Sequence, residues 1–303
     1  MIERNELCWC GSGKKYKKCH LLKDTQKTNS KSGLRGLIKG SEEIKKMRKA
    51  GEFNGQLMDY IRPFVKAGIT SEEINSLVHE YTIAHGHIPA CLGYHGYPKS
   101  ACISRNNIVC HGIPSKNEIL SDGDIVNVDL TTIVDGYYGD SSETFFIGTV
   151  KPEARHLVEV TAKAMILGID AVKPGVHLRA IAEAIEPFVK SQGCSVVRQY
   201  TGHGIGKKFH ESFTVYHHVD EDCEPIVLEP GMTFTVEPMV NVGGYEVITD
   251  RKDGWTVRTK DGSLSAQFEH TILVTETGGE VLTLTPSQKN AGVRLAVDGT
   301  LYK

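Results

Sequence analysis

Apolar and polar positions alternate along the chain in two periods, one helical and one extended. Ser41, followed by Glu42 and Glu43, puts a capping side chain and two acids where a helix N-terminus is positive, and predicts a helix opening there. Thr70-Ser71-Glu72-Glu73 has capping-box spacing and predicts a second helix behind it. Further helices are predicted over about residues 152–172 and 177–192. Between and after them lie β-branched and aromatic runs: IVNVDLTTIV from Ile125, ETFFIG from Glu143, MTFTVEP from Met232 and SAQFEHTILV from Ser265. Helix pairs alternating with groups of strands predict an α+β fold.

The pattern also repeats. VKAGITSEEINSLVHEYTIAHG, from Val65, aligns without gaps on VKPGVHLRAIAEAIEPFVKSQG, from Val172, at an offset of 107 residues. Downstream, at an offset of 108, Gly123 matches Gly231 and Asp129 matches Glu237. A His-Gly-Ile triplet precedes each of these strands, at His111 and at His203. Three matches in the same order predict a duplicated helix-helix-strand unit. Asp129 and Glu237 are then expected at related positions facing one shared site.

Composition adds a compartment and an appendage. With 303 residues, 40% apolar and 24% charged, the chain is large enough for one sizeable globular domain and a small extension. No window is apolar for 18 residues, which excludes a helical membrane span, and the first residues lack the apolar core of a secretory signal. A cytoplasmic location is expected. The net charge of -2 hides a division: residues 1–40 hold ten basic and three acidic side chains, hence +7, and the remainder carries -9. Such a basic segment suits an acidic partner such as nucleic acid or the ribosome, or is simply a solvated tail.

The eight cysteines divide in the same way. Cys91, Cys102, Cys110, Cys194 and Cys223 are scattered and read as thiols, whereas Cys8, Cys10, Cys19 and His20 crowd into CWCGSGKKYKKCH. Three thiolates and one imidazole complete the four-coordinate shell of a structural Zn²⁺, whose binding would supply the folding free energy so short a segment lacks. The spacing resembles the SEC-C zinc motif and predicts a zinc knuckle over residues 1–22, followed by a flexible basic linker over 23–40.

Acidic residues inside apolar runs carry the candidate chemistry. If Asp135-Gly136 forms a two-residue hairpin turn, Thr131 faces Asp140, and Asp129 lies on the same face one diagonal step away. A bulge at Gly139 would shift this register by one, and both registers remain open at this point. Asp129 interrupts IVNVDL, where an unpaired carboxylate is costly, and Glu237 and Glu269 pose the same problem in TVEP and QFEH. With His203 from TGHGIG, the set is two Asp, two Glu and one His. Oxygen-rich ligation with one imidazole favours Mn²⁺, Fe²⁺ or Co²⁺, with Zn²⁺ possible. Bridging carboxylates would hold two such cations roughly 3.5–4 Å apart.

NVDL, DGYYGDSSETF, TGHGIG, FTVEPM and QFEHT, in that order and supported by CLGYHGYPKSACIS and VCHGIP, resemble the signature of type I methionine aminopeptidases over about residues 41–285. The resemblance implies the pita-bread fold, with two pseudo-symmetric halves around a dinuclear site, in accord with the repeat. It implies Asp129, Asp140, His203, Glu237 and Glu269 as the metal ligands. It implies His111 and His210 as substrate-contacting histidines, and a methionine pocket of Cys91, Tyr94, Tyr97, Cys102, Phe209 and Trp255. The neighbouring pair His217 and His218 is expected at the surface. The activity implied is removal of initiator methionine from nascent polypeptides, with a small second residue preferred. Glu237 would accept the proton of the attacking water, His210 would steady the oxyanion, and His111 would bond the peptide.

Two rival readings are a proline-type aminopeptidase or dipeptidase on the same fold, and a binding homologue that lost the chemistry. Forty residues are too few for the extra amino-terminal domain usual in the first, and an intact ligand set argues against the second. Residues 286–303 match no part of the pattern and are expected to be a tail or an edge strand. A monomer is expected by analogy with the family.

Overall fold

The structure, a computed structural model, describes Lys14, Lys15, Lys18 and residues 36–303 apart from 221, 222 and 224. The four expected zinc ligands, Cys8, Cys10, Cys19 and His20, lie outside the described residues. The chain divides into two units, Met1–Ile38 and Lys39–Lys303, and the description below concerns the second. Lys39, expected within the flexible linker, is instead a buried residue of this second unit. No helix among the described residues is long and apolar enough to cross a membrane.

Helix α1, Ser41–Ile61, opens one residue earlier than its capping signal suggests. Gly40 holds the cap position, and its N–H donates to the Glu43 carboxylate at 3.1 Å. Helix α2, Ser71–Ala84, has the expected capping box: the Glu73 N–H donates to Thr70 Oγ1, and the Thr70 N–H donates back to Glu73. After α2 come strands β1, Cys102–Arg105, β2, Ile125–Val134, and β3, Tyr137–Phe146. Helices α3, Pro152–Asp170, and α4, Ala180–Ser191, follow in the second half. His177 pairs with Val227 in an isolated bridge, which keeps it out of α4. Short strand β4, Gly202–His203, then β5, Thr233–Val236, and β6, Glu269–Val274, complete the elements that carry the site.

Strands β2 and β3 form an unbroken antiparallel hairpin, with Thr131 opposite Asp140 and Asp129 opposite Ser142. Its turn residues, Asp135 and Gly136, both have positive φ, at 49° and 80°, as a type I′ turn requires. The Gly139 bulge is absent because that glycine serves another purpose. A Cβ there would sit 2.4 Å from the Ala50 carbonyl oxygen of α1, so only glycine lets the helix lie this close to the hairpin. Buried Asn54 of α1 seals the contact, donating Nδ2–H to the carbonyls of Leu130 at 2.6 Å and Gly139 at 2.9 Å, and accepting the Ser141 hydroxyl.

The main sheet has seven strands. β1 and Ile88–Pro89 lie along one edge of β2, while β6 pairs with β3, with β5 and with Gly279–Val281. Leu57, Met58 and Ile61 of α1 and Ile74 and Val78 of α2 pack on Ile103, Val126, Val128 and Leu130. Period-two alternation therefore turns Asp129 and Thr131 to the opposite face, away from the helices. The run SAQFEHTILV is not one strand. It breaks at buried Phe268, with Ser265–Gln267 pairing with Met239–Asn241 in a second sheet and β6 remaining in the first.

Residues 286–303, expected as a tail or edge strand, form helix α5, Pro286–Ala291, and a hairpin of Leu295–Val297 with Thr300–Tyr302. They are tied in by polar contacts: Gln288 donates to the buried Glu143, Arg294 pairs with Asp170, and the Arg294 carbonyl lies 3.1 Å from His270 Nε2.

Candidate metal centre and substrate pocket

All five expected ligands line one cavity of about 370 Å³, and so do His111, His210, Cys91, Tyr94, Tyr97, Cys102, Phe209 and Trp255. Asp129 comes from β2, Asp140 from β3, His203 from β4 and Glu269 from the first position of β6, while Glu237 follows directly on β5. Ligating atoms of Asp140, His203 and Glu269 lie within 4.8 Å of one another. His203 Nε2 is 3.6 Å from Asp140 Oδ2 and 3.6 Å from Glu237 Oε1.

These groups need a cation. Burial pushes Asp129 up to about 7 and Glu237 up to about 8, and drives Asp140 and Glu269 upward too, the neighbouring carboxylates adding to the effect. Desolvation, with a smaller effect of His210, lowers His203 to about 3, so its ring is neutral. His203 Nδ1 lies 3.1 Å from the Gly204 carbonyl, to which it can only donate. Nε2 therefore presents a lone pair towards Asp140 and Glu237, the orientation of a metal-binding imidazole whose other nitrogen donates to a carbonyl. Among the described residues lining the cavity, none is lysine or arginine. The donor set fits divalent cations.

A surrounding layer of polar side chains orients the acids. Thr131 Oγ1 donates to Asp140 Oδ1 at 2.8 Å, Thr235 Oγ1 to Glu237 Oε1 at 2.6 Å, and Gln267 Nε2 to Glu237 Oε2 at 3.2 Å. Thr131 was expected opposite Asp140 but with no role, whereas Thr235 and Gln267 were not singled out, although Thr235 lies two residues from Glu237. His217 and His218, expected at the surface, are buried, at 1% and 3% exposure. The Glu237 N–H donates to His217 Nε2 at 3.0 Å, which the sequence offered no signal for.

Beside the acids is an aromatic and thiol recess. Cys91, Tyr97 and Cys102 cluster with Ile113, Phe209 and Trp255, and Tyr97 meets Trp255 edge-on at 5.1 Å. The Tyr97 hydroxyl bonds to the Gly112 carbonyl at 2.9 Å, which leaves the ring face to the recess. His210 stacks near His203, with ring centroids 4.0 Å apart, and its Nδ1 is 2.8 Å from the Tyr94 hydroxyl. Desolvation raises Tyr94, so its hydroxyl keeps its proton and can donate it to Nδ1, leaving His210 with an Nε2–H. His111 sits in the left-handed region at φ 56°, its ring 5.9 Å from Trp255, and desolvation holds it neutral at about 4. The cavity is also lined by His95, Gln199, Tyr200, Thr201 and Met239, which the sequence reading did not single out.

A buried acid cluster around one neutral imidazole, carried on an antiparallel sheet, has the donor set of a metallopeptidase centre. The chain belongs to metallopeptidase family M24, whose signature matches residues 45–276; a SEC-C motif matches residues 4–22. Methionine aminopeptidase of Salmonella typhimurium is 52% identical over 248 residues, covering 82% of this chain and 93% of its own length. The crystal structure of methionine aminopeptidase from Rickettsia prowazekii is similar at a TM-score of 0.79 and 46% identity, covering 82% of this chain and 99% of that one. Xaa-Pro dipeptidase from Bacillus anthracis, at 23% identity and a TM-score of 0.66, shares the fold alone, and this chain covers 62% of it. Within its family the chain is a metallo-aminopeptidase of pita-bread fold.

Proposed function

We propose that the protein removes initiator methionine from nascent polypeptides, preferring a small second residue. The observation that carries this reading is the single cavity shared by the five candidate ligands, the two histidines and the thiol-aromatic recess. Asp129, Asp140, His203, Glu237 and Glu269 would hold two divalent cations, drawn from cobalt, manganese, iron and zinc. Bound there, such ions supply Lewis acidity and an attacking water of lowered pKa.

The chain's own residues do the rest. Glu237 is placed to accept a proton from the attacking water, and Thr235 and Gln267 hold its carboxylate in place. His210 donates its Nε2–H to the carbonyl oxygen as negative charge develops there, in the tautomer that the Tyr94 hydroxyl supports. Neutral His111, held in a fixed left-handed conformation beside Trp255, bonds the peptide near the scissile bond. Cys91, Cys102, Tyr97 and Trp255 surround the thioether, each sulfur-aromatic contact contributing roughly 0.3–1.5 kcal/mol. The recess excludes water on the substrate's apolar side.

For the extension, we infer a structural zinc held by Cys8, Cys10, Cys19 and His20 and a ribosome contact through the basic segment. The SEC-C match and the +7 charge of residues 1–40 support this. A cytoplasmic monomer is part of the same proposal. The test is a panel of Met-Ala-Ser, Leu-Ala-Ser, Ala-Ala-Ser and Ala-Pro peptides, assayed with each divalent metal restored to metal-free enzyme. Cleavage of Met-Ala-Ser far above the others is expected. Comparable kcat/KM across the methionine, leucine and alanine peptides would refute the pocket assignment, and preference for Ala-Pro would favour the proline-type rival.

A further inference from the structure

We infer that Lys39 is a positioning residue for His210, acting through Glu211. The inference rests on the role proposed above for His210. Lys39 precedes α1 and lies outside every motif of the aminopeptidase resemblance, yet its ammonium is buried, 2.5 Å from the Glu211 carboxylate, with side-chain exposures of 5% and 11%. The two residues are 172 positions apart in sequence. A surface ion pair would do little, but a dry one fixes both partners, because losing either leaves an uncompensated buried charge.

Both ends of the pair are anchored to the site. The Lys39 N–H donates to the Gly231 carbonyl at 2.8 Å, two residues before β5. On the other side, Glu211 follows His210 directly, and its N–H donates to the Gly204 carbonyl at 2.7 Å, next to the candidate ligand His203. Residues 204–211 therefore close into a short loop that displays Phe209 and His210 to the cavity. Gly206 lies against the ion pair: a Cβ there would be 2.4 Å from Glu211 Oε1 and 2.8 Å from Lys39 Cε. The loop thus rests on the Lys39 stem while Glu211 pulls it inward. The stacking of His210 on Phe209, at 4.6 Å, and its bond to Tyr94 complete its placement from the cavity side. Without Lys39, the largely covered Glu211 carboxylate must find water, and the segment carrying His210 turns outward with it.

The test uses the full chain with Lys39→Met, which keeps the stem and removes the charge, and Glu211→Gln, which keeps an amide able to bond Lys39. Lys39→Met is expected to lower kcat on Met-Ala-Ser by on the order of 10–100-fold, the cost of a misplaced group, with KM and bound metal close to wild type. Glu211→Gln should lose less, and adding it to Lys39→Met should restore part of the rate, since no anion is then stranded. The His210 ring signals in the NMR spectrum of zinc-loaded protein read the placement without turnover; they should shift or broaden in Lys39→Met, while those of His79, which bonds Ser100 and does not line the cavity, stay. Unchanged His210 signals together with wild-type kcat would overturn the inference. Shifted His210 signals with wild-type kcat would uphold the positioning and refute the role proposed for His210.

Discussion

Asn54 joins helix α1 to the hairpin between its two acidic positions, and its removal should be felt in both stability and metal affinity. Its side chain is fully buried and makes three hydrogen bonds, to Leu130 O, to Gly139 O and from the Ser141 hydroxyl. Leu130 and Gly139 each adjoin a candidate ligand, Asp129 and Asp140. At roughly 0.5–1.5 kcal/mol net per bond, Asn54→Ala should cost about 3 kcal/mol, or a fall in Tm of roughly 6–12 °C for a domain of this size. Asn54→Asp is nearly isosteric but points an anion at two carbonyl oxygens, so its loss at pH 7 should be larger. The sign with pH follows from linkage. Such a carboxyl is raised in the folded state above its unfolded value of about 3.9, so the folded protein takes up the proton first as pH falls, and the extra loss shrinks from pH 7 towards pH 5. Urea unfolding of metal-free protein at both pH values measures this. Titration calorimetry should show divalent metal bound on the order of 10–100-fold more weakly, as when other orienting partners of ligands are lost. A loss below about 1 kcal/mol for Asn54→Ala, or an equal deficit for Asn54→Asp at pH 5 and 7, would refute this account of how the helix holds the hairpin.

Three further outcomes are expected. Glu237→Gln keeps size and removes the anion and the proposed base, so kcat should fall at least on the order of 10²–10⁴-fold with an unchanged circular dichroism spectrum; wild-type turnover in fully metallated variant would sink the assigned role. Deleting residues 1–35, which spares Lys39, should leave kcat/KM on a free tripeptide unchanged and weaken ribosome co-sedimentation at low salt, and Cys10→Ser with Cys19→Ser should imitate it; equal sedimentation would dismiss the docking idea. Truncation after Thr285 should lower Tm because it removes Gln288 from the buried Glu143 and the Arg294 carbonyl from His270, an effect that a solvated tail would not produce.

The local signals in the chain were sufficient where the physics is local. The Thr70–Glu73 capping box marked the start of α2 and Asp135-Gly136 marked the hairpin turn, since each depends on residues a few positions apart, while the register that puts Asp129 and Asp140 on one face stayed open. The repeat led to the expectation that Asp129 and Glu237 face one site, and both line the same cavity, Asp129 from β2 and Glu237 directly after β5. Gly139 shows where such signals stop. Glycine in a strand permits either a bulge or a close approach, and only the arrival of α1 from far along the chain decides between them. His217 looked like a surface residue because a histidine in a loop usually is one, yet the return of the chain past β5 buries it against the Glu237 N–H. Lys39 resembled the lysines of the preceding basic segment, and an ammonium has no sequence mark of burial. Its partner is decided by Glu211, and so by tertiary structure alone, because charge pairing acts through space rather than along the chain.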